Sequence, residues 1–146
     1  MNNEPSKATV AIIAGSKSDE KIVKETAKVL DEYDISYDIK YLSAHRNPEE
    51  LKKYIDESQS NIDIYICIAG LAALLPSFVV AHTKKPVIGV PVNVRLGGLD
   101  ALLSIVQTPS GVPIACVGID NGKNAAHLAL RILALKDKLV ERELER

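Results

Sequence analysis

The chain has no tryptophan, one phenylalanine and two cysteines. Aromatic platforms for stacking single-stranded bases are therefore scarce. A net charge of −1 supplies no basic field, so nucleic acid is not expected as a partner. Cys67 and Cys116 lie far apart, each inside an apolar run. They read as reduced, buried thiols, and a zinc site needs more ligands than these two. No histidine pair has metal-ligand spacing and HExxH is absent, so no metal is expected. No apolar run is long enough to span a bilayer, so no membrane association is expected. The opening MNNEPSKATV lacks a basic region followed by an apolar one, and a cytoplasmic protein is expected. GxxxxGK[ST], GxGxxG and a nucleophile elbow are all missing, which argues against a P-loop, a dinucleotide site and acyl transfer.

What is present is a regular alternation. The 146 residues are 47% hydrophobic, enough for one domain over 1–146, with a core over about 8–135 and a closing helix to about 144. Short apolar runs at 8–14, 36–42, 62–69, 86–90 and 114–119 read as strands. The first and third lack polar alternation and should be buried on both faces. Between them, 18–33, 47–57, 72–81 and 99–107 carry helical spacing, and one long helix is expected from Asn124 to about Leu144. Pro48 suits a first helical turn, and Glu49 and Glu50 favour its dipole. The order βαβαβαβαβα predicts an α/β fold with a parallel five-stranded sheet covered on both faces. Ligands in such folds sit beyond the carboxyl ends of the strands.

The loops at that edge hold the candidate site. Gly15-Ser16-Lys17-Ser18-Asp19 follows the first strand and opens a helix. Ser16, Ser18 and the free amides of the turn suit a phosphate, while Asp19 suits hydroxyls or a nitrogen of the same ligand. The stretch also fits an ordinary helix start capped by Ser16 or Ser18. Ser43-Ala44-His45-Arg46 follows the second strand. Arg46 offers a planar fork for phosphate or carboxylate, Ser43 a hydroxyl, and His45 an imidazole that exchanges protons near neutral pH. Gly70 permits close approach of a ligand to the backbone. The segment from Pro91 to Gly98 reads as mobile, with Arg95 directed at a ligand, a neighbouring subunit or solvent. His82 is expected at a helix C-terminus and His127 in helix packing. A flavin module is disfavoured by the first loop and by the few aromatics.

Six stretches in order resemble one family: GSKSD at 15–19, SAHRNP at 43–48, IAGLAALLP at 68–76, PVIGVPV at 86–92, GLDALLSIVQTPSGVP at 98–113 and GIDNGKNAA at 118–126. They resemble the N5-carboxyaminoimidazole ribonucleotide mutases of purine biosynthesis, in the pattern of the archaeal branch. The resemblance implies a flavodoxin-like three-layer αβα fold, no cofactor, and a homo-octamer with sites at subunit junctions. It implies transfer of a carboxylate from the exocyclic nitrogen of the ribonucleotide to its ring carbon, with CO2 as a trapped intermediate. Ser16, Asp19, Ser43 and Arg46 would bind the ribonucleotide, and His45 would be the acid and base. One departure stands out. The family commonly has AAHLPG where this chain has Ala72-Ala73-Leu74-Leu75-Pro76-Ser77. That keeps three alternatives open: direct carboxylation of aminoimidazole ribonucleotide with CO2, a related carboxylase of the pyridinium cofactor pathway, or a ribonucleotide-binding subunit without turnover.

Overall fold

A computed structural model describes residues 9–146. The expected strand start at Ala8 lies outside the described residues. The strands are β1 (Val10–Ala14), β2 (Tyr37–Tyr41), β3 (Ile64–Gly70), β4 (Val87–Val92) and β5 (Ala115–Cys116). All pairings are parallel, in the order β2-β1-β3-β4-β5. Every residue of β1 is buried, as is β3 up to Gly70. A strand buried on both faces has no use for alternation, and VAIIA and IYICIA show none.

The helices are α1 (Glu20–Glu32), α2 (Pro48–Ser58), α3 (Leu74–Ala81), α4 (Leu99–Val106), α5 (Gly122–Ala134) and α6 (Lys138–Leu144). Successive strand residues face opposite sides, and the core divides accordingly. Ile12, Ile66, Ile68, Ile88 and Val90 pack with Val23, Leu30, Ala126 and Leu130 of α1 and α5, joined by Val140 of α6. Ile13, Tyr65, Cys67 and Val87 pack with Leu51, Ile55, Val79 and Ile105 of α2, α3 and α4. This is the three-layer αβα sandwich, with the flavodoxin-like strand order.

Three boundaries differ from expectation. The closing helix is two helices: α5 ends at Ala134, and Asp137 starts α6 by accepting from the amides of Leu139 (3.0 Å) and Val140 (3.5 Å). The last strand pairs over only two residues, Ala115 and Cys116. The third helix begins at Leu74 rather than Ala72, because Leu71 (φ 56°) and Ala73 (φ 31°) hold left-handed backbone just before it. Both α1 and α5 lie on the same face and approach closely. A Cβ on Gly122 would run into the Thr26 hydroxyl and lie 2.8 Å from Ile22 Cγ2.

Candidate active site

The strand order reverses between β1 and β3, and this is where an open α/β sheet leaves a crevice. A cleft of about 480 Å³ opens there. It is lined by Ser16, Ser18 and Asp19 from the loop after β1, Ser43, His45 and Arg46 from the loop after β2, and Gly70 from the end of β3. All seven residues singled out from the sequence therefore meet in one place.

Each loop is built by its own polar groups. Ser16 is extended (φ −152°, ψ 150°) and caps a 3-10 turn, Lys17–Asp19, that leads into α1. Its Oγ accepts from the Ser18 amide at 3.2 Å and from the Ser18 hydroxyl at 2.9 Å. So the capping role and a place in the cleft coexist at Ser16. Asp19 is buried. Burial raises its carboxyl above the ordinary 3.8; a hydrogen bond from the Ser16 backbone opposes this, and the charge of Asp120 adds to it.

The second loop closes on itself. Ser43 Oγ accepts from the Arg46 amide at 3.2 Å, and the Ser43 carbonyl accepts from the Asn47 amide at 2.7 Å. Ala44, 6% exposed, anchors the loop in the core, while His45 and Arg46 stay exposed. The Arg46 Nη2 donates to the Gly15 carbonyl at 2.8 Å. This bond crosses between the two loops and uses one arm of the guanidinium fork. A guanidinium has five N–H donors, so the others remain for a ligand anion.

Residues 9–146 match the AIR carboxylase family.

The chain belongs to that family.

Its relatives agree along almost the whole length. An N5-carboxyaminoimidazole ribonucleotide mutase of Methanocaldococcus jannaschii is 50% identical over 92% of this chain and 85% of its own. One from Thermotoga maritima is 46% identical over 93% of this chain and 81% of its own. The crystal structure of Treponema denticola PurE2-S38D superposes with a TM-score of 0.86 at 32% identity, covering 94% of this chain and 86% of that one.

This AIR carboxylase family member also has a second, apolar wall that the sequence only partly disclosed. Leu71, Ala72, Ala73, Leu74 and Leu75 line it together with Val94. Leu74 stands at the first turn of α3 and remains 39% exposed. It gives the cleft a hydrocarbon surface there. Val94 was missed within a segment read for its arginine. Arg95 is exposed and is not among the cleft-lining residues. Among the described residues, no group of three or more His, Cys, Asp or Glu side chains has the arrangement of a metal site. His82 sits where a structural role was expected, its Nδ1 2.7 Å from the Phe78 carbonyl and its ring stacked on Phe78. His127 packs edge-on against Tyr33. No helix among the described residues is long and apolar enough to cross a membrane.

Proposed function

We propose that this chain is an N5-carboxyaminoimidazole ribonucleotide mutase of purine biosynthesis. The observation that carries the reading is the Arg46–Gly15 bond, which fastens the two polar loops into one wall. That wall offers hydroxyls, one carboxylate, one imidazole and one guanidinium, the set a phosphorylated ribonucleotide and a proton transfer require. In this reading Ser16, Ser18, Ser43 and Arg46 hold the phosphorylated end, Asp19 takes hydroxyls, and Gly70 lets the ligand approach the backbone.

Chemistry falls to His45. The carbamate C–N bond breaks, its electron pair stays on the exocyclic nitrogen, and CO2 is released into the cleft. His45 as imidazolium gives that nitrogen a proton. The ring carbon then attacks CO2 and forms the C–C bond. Neutral His45 removes the ring proton and returns to its starting state. One imidazole serves both transfers, because the first uses its protonated form and the second its neutral form. The apolar wall suits retention of CO2, which carries no charge. A cytoplasmic location is part of this proposal.

A homo-octamer completes the proposal. Leu99, Leu103 and Val106 form an exposed apolar stripe on α4, next to Leu96 at 77% exposure. Such a surface suits burial against further copies. A mass of eight chains by light scattering is expected.

One observation favours a second reading. Leu74 lines the cleft with hydrocarbon where the resembled mutases commonly have a histidine, as would suit an enzyme taking CO2 directly onto aminoimidazole ribonucleotide. The deciding test compares turnover of the N-carboxylated ribonucleotide without added bicarbonate against aminoimidazole ribonucleotide at high bicarbonate. Faster conversion of the first is expected. Activity with the second alone makes the chain a direct carboxylase, and binding without turnover makes it a ribonucleotide-binding subunit. Leu74→His is expected to change the rate more than the melting temperature.

A further inference from the structure

The GIDNG stretch at 118–122 has no place in the chemistry above, yet it binds the backbone immediately before the cleft-lining Val94. Asp120 is held at φ 60°, a left-handed conformation that aspartate tolerates better than most residues. Its amide donates to the Pro91 carbonyl at 2.8 Å. Its carboxylate Oδ1 accepts from the Asn93 amide at 2.9 Å. Two bonds therefore grip the chain where it leaves β4. Ile119 grips the other end of the same segment: a Cβ on Gly98 would lie 2.7 Å from Ile119 Cγ2 and 3.3 Å from Asn93 Cα.

Between these two grips lies Val94. A Cβ on Gly70 would lie 2.6 Å from Val94 Cγ2, so the valine methyl rests on the Gly70 backbone. Val94 closes the cleft at the end of β3, although it is 51% exposed and has little packing of its own to fix it. Its position depends on the residue before it, and that residue is held by Asp120.

We propose that Asp120 is a positioning residue for the substrate cleft: its carboxylate holds Asn93 so that Val94 seals the apolar wall against Gly70. The inference deepens the mutase reading and rests on it for its second readout, the retention of CO2. Asp120 does not itself line the cleft, so it would act through Asn93 and Val94.

The test uses the full-length chain and three variants. Asp120→Ala removes the carboxylate acceptor. Asp120→Asn keeps an acceptor oxygen and a residue suited to positive φ, but no charge. Val94→Ala opens the same wall and leaves Asp120 alone. The first readout is calorimetric affinity for aminoimidazole ribonucleotide, which needs no turnover. Losing a charge-assisted hydrogen bond is expected to weaken it on the order of tenfold in Asp120→Ala, with Asp120→Asn restoring most of it and Val94→Ala resembling Asp120→Ala. The second readout is coupling: the fraction of N-carboxylated substrate that ends as aminoimidazole ribonucleotide plus free CO2 instead of product. It should rise several-fold in Asp120→Ala and Val94→Ala. Wild-type affinity in Asp120→Ala overturns the proposal, and so does an Asp120→Asn variant as weak as Asp120→Ala. If Asp120→Ala does not fold, Val94→Ala with wild-type affinity overturns it. A wild-type chain inactive on both substrates refutes the mutase reading alone, since the affinity series stands apart from turnover.

Discussion

Arg46 and Gly15 are 31 residues apart in the chain and joined by a 2.8 Å hydrogen bond from guanidinium to carbonyl. The bond links a side chain after β2 to the backbone at the end of β1, two strands in register from Val10–Tyr37 to Ala14–Tyr41. Arg46→Ala should release the loops from one another and delete the proposed phosphate fork. KM is expected to rise roughly 10- to 100-fold, the scale of one or two hydrogen bonds to charged groups. The melting temperature should barely move, because Arg46 is exposed. Arg46→Lys should recover only part of the loss, since an ammonium cannot present two parallel donors.

His45 is exposed at the tip of a loop that Ser43 and Asn47 close without it. His45→Asn should therefore leave the fold and ribonucleotide affinity intact. Turnover is expected to fall by on the order of 10²- to 10⁴-fold, the usual contribution of a general acid or base. A variant turning over at the wild-type rate would remove His45 from the mechanism.

Asp19 sets stability against function. Its carboxyl titrates above the ordinary 3.8 in the fold, chiefly through burial. Between the unfolded and folded pKa values the native state binds more protons than the unfolded chain, so stability declines as pH rises through that window. The penalty is full above the folded value and absent below the unfolded one. Asp19→Asn should thus raise the melting temperature at pH 7, with the gain shrinking as the pH falls toward 3.8 and below. Ribonucleotide affinity should drop in the same variant. Thermal scans from pH 3 to pH 7 check the sign.

Gly122 is where α5 meets α1. An added methyl meets the Thr26 hydroxyl and the Ile22 side chain and carbonyl. Thr26 cannot easily turn away, because its hydroxyl donates to the Ile22 carbonyl at 2.8 Å in a buried setting. Gly122→Ala should cost about 1–3 kcal/mol, as overpacking of a tight interface does. The urea midpoint should fall with little change in slope.

Much of this was legible in the residues. Runs without alternation marked β1 and β3, and amphipathic spacing marked α1 and α2, since each element reports its own burial through its period. The seven candidate residues converged because strand order and the carboxyl-edge rule place loops without any contact being known. The break before α6 was hidden. Leu133, Leu135, Leu139 and Val140 keep a helical rhythm through it, yet Leu135 and Leu139 are 85% and 71% exposed. Only Asp137, a cap embedded in charge, signals the stop. The left-handed Leu71 and Ala73 gave no sign at all, because neither is the glycine or asparagine that such backbone usually selects. Val94 was missed for a related reason: its position is set by Asp120, 26 residues later.

The strand order also bears on how the chain reaches its native state. As the polypeptide emerges, β1 and β2 can pair as soon as β2, which follows α1, is out. The other edge of β1, fully apolar in sequence, stays open until Ile64–Gly70 arrives. One face of β1 waits longer still, for α5 at Gly122–Ala134. Non-local parallel pairing of this kind is slow, and an uncovered apolar edge is the vulnerable species meanwhile. Nascent chains halted before β3 should be the ones that chaperones hold and that aggregate, whereas chains released after α5 should close the sandwich and escape both fates.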